Sequence, residues 1–99
     1  MASGYKINWT PHALKELEKT YEYLELNFTP NELRKLSSDL NKSLQLISKN
    51  PKLFPQSASH GIRRIVIKKF NTLYYREKLN SIEVISFYSN RKNPSNLKL

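Results

Sequence analysis

Ninety-nine residues, 38% of them hydrophobic and 25% charged, suffice for one modest core and are too few for a second. There is no cysteine, which excludes a disulfide-stapled secreted scaffold and a thiolate metal site and points to a reducing, cytoplasmic setting. The formal net charge is +9, so the expected partner is acidic: nucleic acid, an anionic surface or an acidic protein.

The charge is unevenly placed. Residues 1–59 hold 8 Lys/Arg against 6 Asp/Glu, whereas residues 60–99 hold 9 against 2, so the last two-fifths carry +7 of the excess. No apolar run approaches the roughly 20 residues of a membrane span. The opening Met1-Ala2-Ser3-Gly4 lacks the charged and apolar segments of a signal peptide.

Residues 5–9, Tyr-Lys-Ile-Asn-Trp, alternate apolar and polar and predict a half-buried strand. Thr10-Pro11 then reads as an N-cap followed by a first helical residue, because a threonine hydroxyl accepts an orphan amide and proline needs none. The first helix is expected over 11–27, with Ala13, Leu14, Leu17, Tyr21, Leu24 and Phe28 as its apolar stripe and the charged residues, Glu16 included, on a solvated face. Thr29-Pro30 repeats the start signal, and Glu32 stands at capping-box spacing from Thr29. The second helix is expected over 30–49, striped by Leu33, Leu36, Leu40, Leu44 and Ile47. With almost no linker between them, the two helices should form an antiparallel hairpin.

A loop over 51–61 is marked by Pro51, Pro55 and Gly61. Strands are expected over 62–70, 72–78 and 81–88, joined so tightly that they must pair antiparallel. Residues 89–99 read as an extended tail. The expected whole is a single α+β domain over 1–99 in the order β-α-α-β-β-β. An antiparallel sheet would be covered on one face by the helical hairpin, with Ile65, Ile67, Leu73, Tyr75, Ile85 and Phe87 as the sheet's core residues.

The chemistry is thin. Two histidines, His12 and His60, make no metal constellation, the two glycines make no phosphate loop, and no cofactor is expected. What stands out is a basic cluster interleaved with tyrosines: Arg63, Arg64, Lys68, Lys69, Arg76, Arg91 and Lys92 with Tyr74, Tyr75 and Tyr88. Adjacent residues of a strand point to opposite faces, so Arg63 and Arg64 should separate, as should Lys68 and Lys69. Such a cluster can bind an acidic partner. It can also cleave RNA without metal if a base, a charge stabiliser and an acid converge on one phosphate. Arginine stabilises charge but seldom moves protons, so Tyr88 or a lysine would have to do that work.

Taken in order, several pieces resemble the RelE/ParE superfamily of type II toxins over about residues 5–97: the opening Tyr5-Lys6-Ile7-Asn8-Trp9-Thr10, the two helices, Pro51-x-x-x-Pro55, Ile62-Arg63-Arg64-Ile65, the hairpin from Phe70 to Tyr75, and Ile85-Ser86-Phe87-Tyr88. The closing Arg91-Lys92-Asn93-Pro94 looks like the R-x-x-P ending of ParE-like plasmid-stabilisation proteins. The resemblance implies a growth-inhibiting toxin held silent by an acidic antitoxin. It implies either of two targets. ParE-like members inhibit DNA gyrase by binding it; RelE-like members cleave mRNA on the ribosome. In the nuclease case the catalytic candidates are Arg64, Lys68, Tyr88 and Arg91: Arg64 matches the strand arginine of that branch and Tyr88 or Arg91 falls where its C-terminal catalytic residues lie, although no histidine stands near Tyr88. In either case Arg63, Arg64, Lys68, Lys69, Arg76, Arg91 and Lys92 are the expected antitoxin- or target-binding residues. A non-toxic basic nucleic-acid-binding domain is a third reading.

Overall fold

A computed structural model describes residues 4–56 and 61–89. The order is β1 (Lys6–Trp9), α1 (Pro11–Asn27), α2 (Pro30–Lys49), β2 (Ile62–Ile67), β3 (Asn71–Glu77) and β4 (Ser81–Ser89). The two helices pack on one face of a four-stranded sheet of order β1-β4-β3-β2.

The sheet is mixed. β2, β3 and β4 form the antiparallel meander that their tight connections require, and β1 adds parallel to β4, with Ile7 opposite Ile82 and Trp9 opposite Val84. The expectation of an antiparallel sheet therefore holds for three strands. β1 departs from it because two helices and two strands intervene before β4, a connection long enough for a parallel return.

Proline and threonine set the helix starts, but the two caps differ. Thr10 Oγ1 accepts the Ala13 amide at 3.1 Å. Thr29 occupies the N-cap position of α2 with extended backbone and no side-chain cap bond; only its carbonyl accepts the Glu32 amide, at 3.0 Å. The capping box that the Thr29/Glu32 spacing suggested is not formed.

The core lies between the helix stripes and the inner sheet face. Leu36, Leu40 and Ile47 of α2 meet Ile65, Ile67, Leu73, Tyr75, Ile82, Val84 and Phe87. From α1 the buried residues are Ala13, Thr20 and Leu24, while Leu14 and Phe28 are more than 40% exposed. Thr20 is tolerated there because its hydroxyl donates to the Glu16 carbonyl at 2.9 Å, which satisfies it within the helix. On β4 the register slips: Tyr74 pairs with Ser86 but Tyr75 pairs with Val84, so Ile85 has no partner. This β-bulge changes which residues face inward. Ile82 and Val84 point to the core before it, Phe87 after it, and Ile85 is only half-buried instead of the core residue that simple alternation predicts.

β2 is shorter than the 62–70 run suggested. It ends at Ile67, and Lys68 and Lys69 adopt left-handed backbone with φ of 53° and 68°. Two consecutive positive φ values turn the chain tightly enough to start β3 at Asn71, whose side chain donates to the Ile67 carbonyl at 3.0 Å. Residues 68–70 are thus the hairpin turn and do not alternate across a strand.

At the far end of the sheet a polar staple holds the 50–56 segment. Tyr75, wholly buried, donates its hydroxyl to the Pro51 carbonyl at 2.9 Å. Glu77 accepts Lys52 Nζ at 2.9 Å and the Tyr5 hydroxyl at 3.2 Å. Burial raises the Tyr75 hydroxyl above its ordinary pKa, opposed by the nearby Arg63 charge. The Lys52 hydrogen bond, with help from Tyr5 and Arg63, holds the Glu77 carboxyl below its ordinary value despite the opposing effect of burial.

Candidate functional site

The helices cover one face of the sheet, and no described element covers the other. That open face collects the alternate residues of β2, β3 and the end of β4. Arg64 and Val66 come from β2, Thr72, Tyr74 and Arg76 from β3, and Tyr88 from β4. Val66 is 60% exposed and Tyr88 41%, while their chain neighbours Ile65, Ile67 and Phe87 are buried. The alternation is the pleat of the sheet read directly as accessibility.

Register fixes how these residues lie. Arg64 stands opposite Tyr74, which stands opposite Ser86, while Val66, Thr72 and Tyr88 form the next row on the same face. Arg64 and Tyr88 are thus two strands and two residues apart. From ordinary strand spacings their Cα atoms are about 12 Å from each other. At one side of the face Arg76 grips Glu83, with Nη2 at 2.9 Å and Nε at 3.3 Å from the same Oε1, and Lys78 Nζ lies 3.9 Å from that oxygen.

The basic candidates do not converge. Arg63 turns to the helix side, where Nη1 donates to the Phe54 carbonyl at 2.7 Å and anchors the loop before β2. Lys68 sits in the hairpin turn with Nζ 3.9 Å from Asp39 of α2. Lys69 lies beside it, its ammonium 5.8 Å from the Phe70 ring centroid. Both lysines line a shallow groove of about 320 Å³ with Glu32 and Phe70, away from the open face. Arg64 alone of the five candidate cations that can be described projects an exposed guanidinium with no side-chain partner among the described residues. Arg91 and Lys92 lie outside the described residues. Among those residues no group of three or more His, Cys, Asp or Glu is placed to hold a metal ion, and no helix is long and apolar enough to cross a membrane.

Residues 7–94 match the family model described as the ParE toxin of the type II toxin–antitoxin system parDE. The chain belongs to the ParE toxin family. Among curated proteins none matches it. Among solved structures, the chromosomal ParDE toxin–antitoxin system of P. aeruginosa superposes with a TM-score of 0.71 at 14% identity, over 89% of this chain and 98% of that one. The YoeB dimer of Staphylococcus aureus gives 0.59 at 21% identity, over 85% and 94%. The YoeB–YefM complex of the same organism gives 0.59 at 22%, over 84% and 93%. At these identities the solved structures report the shared fold, two helices on a four-stranded sheet.

Two residues of this ParE-family chain matter to the site and were not singled out by sequence. Val66 lies inside the unbroken run Ile65-Val66-Ile67, where composition alone does not tell an outward valine from its inward neighbours. Its pairing with Thr72, a polar residue of β3, is the signal that assigns it to the open face. Glu16, read as one of many charges on a wet helix face, instead reaches β4: its Oε1 accepts Ser86 Oγ at 2.8 Å and the Phe87 amide at 2.7 Å. No local pattern reveals a contact between residues some 70 positions apart.

Proposed function

We propose that this ParE-family toxin acts by docking its open sheet face on a protein target such as DNA gyrase, and that an acidic antitoxin neutralises it. The observation that carries the reading is the composition of that face. Exposed Val66 and Tyr88 and half-buried Tyr74 lie around a single arginine, Arg64, that has no side-chain partner among the described residues. Aromatic and apolar side chains with an arginine are what a protein-binding hot spot contains. The concentration of +7 in residues 60–99 favours an acidic partner, which suits an antitoxin. Arg63, Lys68, Lys69 and Arg76, together with Arg91 and Lys92 of the tail, are proposed to add to that attraction from around the face. Cytoplasmic action follows from the cysteine-free sequence and the nature of the target.

The second reading, a ribosome-dependent and metal-independent endoribonuclease, draws support from Arg64 and Tyr88 sharing one face. Two long side chains about 12 Å apart at their Cα atoms can both reach a phosphate between them. Against it, Lys68 is directed to the helix side, with Nζ 3.9 Å from Asp39 of α2, and does not stand with Arg64 and Tyr88 in this structure.

The deciding experiment pairs two readouts on induced cells and purified protein. The docking reading expects inhibition of gyrase supercoiling with mRNA 5′ ends unchanged. New 5′ ends within translated codons, with supercoiling untouched, would replace it by the nuclease reading.

A further inference from the structure

β4 changes neighbours part-way along. Its first half is paired on both sides, by β3 and by β1, and β1 ends at Trp9 opposite Val84. There the chain turns into α1: the Thr10 amide donates to the Val84 carbonyl at 3.0 Å and its hydroxyl to the Ile85 carbonyl at 3.3 Å. The bulge falls at the same place, and beyond it the Phe87 amide points to the side that β1 has left. A bulge disrupts the ladder locally, and an amide that has lost its neighbouring strand needs another acceptor.

Glu16 fills that gap. One carboxylate oxygen accepts the Phe87 amide at 2.7 Å and the Ser86 hydroxyl at 2.8 Å, and His12 Nε2, one turn back on α1, stands 3.3 Å from it. The Glu16 side chain is 25% exposed, so these charge-assisted bonds are partly shielded from water. On the inner side Phe87 is held by burial and by Trp9, whose ring centroid is 6.5 Å away. A slip of one residue would exchange the faces of Phe87 and Tyr88.

We infer that Glu16 is a positioning residue for Tyr88: by replacing the missing strand at the Phe87 amide, it fixes the register of the end of β4 and so the presentation of Tyr88 on the open face. The assignment of Glu16 rests on geometry alone, and its consequence for toxicity rests on the proposed role of that face.

The test uses the full-length chain and three variants, Glu16→Ala, Glu16→Gln and Ser86→Ala. Amide hydrogen exchange is measured at Phe87 and at Leu73 as an internal core reference, with the Tyr88 ring resonances followed by NMR. Growth arrest is scored in parallel. Loss of a charge-assisted acceptor predicts about tenfold to hundredfold faster exchange at Phe87 in Glu16→Ala. Leu73 should change far less, and the Tyr88 resonances should shift or broaden. Glu16→Gln keeps a carbonyl acceptor and should restore most of the protection. Ser86→Ala leaves the amide bond in place and should show an intermediate effect; it carries the test if Glu16→Ala does not fold. An unchanged Phe87 amide and unchanged Tyr88 resonances in Glu16→Ala would overturn the inference, as would equal loss of protection at Phe87 and Leu73 with no rescue by glutamine. A displaced Tyr88 with undiminished growth arrest would uphold the positioning role and overturn the functional reading of the open face.

Discussion

Ile65 and Val66 are adjacent on β2 and test the division of the sheet into a structural and a functional face. Ile65 is 4% exposed and packs against the helices; Val66 is 60% exposed on the open face. Ile65→Ala removes buried methylene and methyl groups and leaves a cavity, at a cost of about 3 kcal/mol. For a domain of this length that lowers Tm by on the order of 15 °C. Val66→Glu changes an exposed strand position, where the cost is about 0.5–1 kcal/mol, or a few degrees. If the open face docks on a protein, however, a carboxylate placed at position 66 near Tyr74 and Tyr88 must be desolvated on binding. A loss of at least about 2 kcal/mol, roughly 30-fold in affinity, is expected. The assay is thermal unfolding of each purified variant beside a dose–response of growth arrest. Val66→Glu should fold and fail to arrest growth; Ile65→Ala should lose stability first and toxicity only as far as the folded population falls. A stably folded Val66→Glu protein that arrests growth like the parent would refute the assignment of the open face.

Three further outcomes follow from the staple at the opposite end of the sheet and from the N-terminal contact. Glu77 has its folded pKa depressed chiefly by Lys52, so its contribution to stability is present above the ordinary glutamate value of 4.5 and is lost as pH falls through the folded value. Urea titrations should therefore show Glu77→Gln less stable than the parent at pH 6, with the gap closing as pH drops below about 4.5. Lys52 is 69% exposed, so the gap should be small and should shrink in 1 M salt. Tyr75→Phe strands the Pro51 carbonyl in the core and should cost about 1–3 kcal/mol, read as a lower denaturant midpoint at unchanged slope. A Cβ at Gly4 would clash with Ser48 Oγ, the atom that donates to the Tyr5 carbonyl at 2.7 Å. Gly4→Ala should therefore break this tie and speed exchange of the Tyr5 amide, which otherwise donates to the Ser48 carbonyl at 2.8 Å.

Local chemistry accounts for what sequence reading reached. Both Thr-Pro pairs mark helix starts, Asn50-Pro51 marks the end of α2, and the tight connections force the antiparallel meander. What sequence missed is tertiary in origin. Nothing near Tyr5–Trp9 says that β1 will return beside β4 in parallel. The bulge at Ile85 arises where β1 ends, and its consequence, half-burial of Ile85 with Ile82 and Val84 in the core, inverts the alternation expected from residues 81–88. Lys68 and Lys69 extend a β-branched run by composition, yet a hairpin must close somewhere between Ile67 and Asn71, and it closes on them through left-handed backbone. For the site, strand periodicity separates Arg63 from Arg64, as it must. Only the register shows which tyrosines and which valine accompany Arg64.

The distribution of partners among the cations bears on what the basic half is for. A surface that tracks a nucleic-acid backbone needs unpaired positive groups in a row, because each contact gains by releasing a counterion from phosphate. Here three of the cations are already engaged within the fold: Arg63 with the Phe54 carbonyl, Arg76 with Glu83, and Lys68 with Asp39. Lys69 projects from the hairpin turn beside Phe70, and Arg64 is set singly among apolar and aromatic neighbours. On the docking reading the excess charge would act as a general field drawing an acidic chain from a distance, while the contacts that discriminate would be few and made at short range. A phosphate-tracking surface would weaken steeply with salt, by several powers of its concentration. A steered protein interface would lose association rate with salt and keep most of its dissociation rate, because the short-range contacts around Arg64, Val66 and Tyr88 persist once formed.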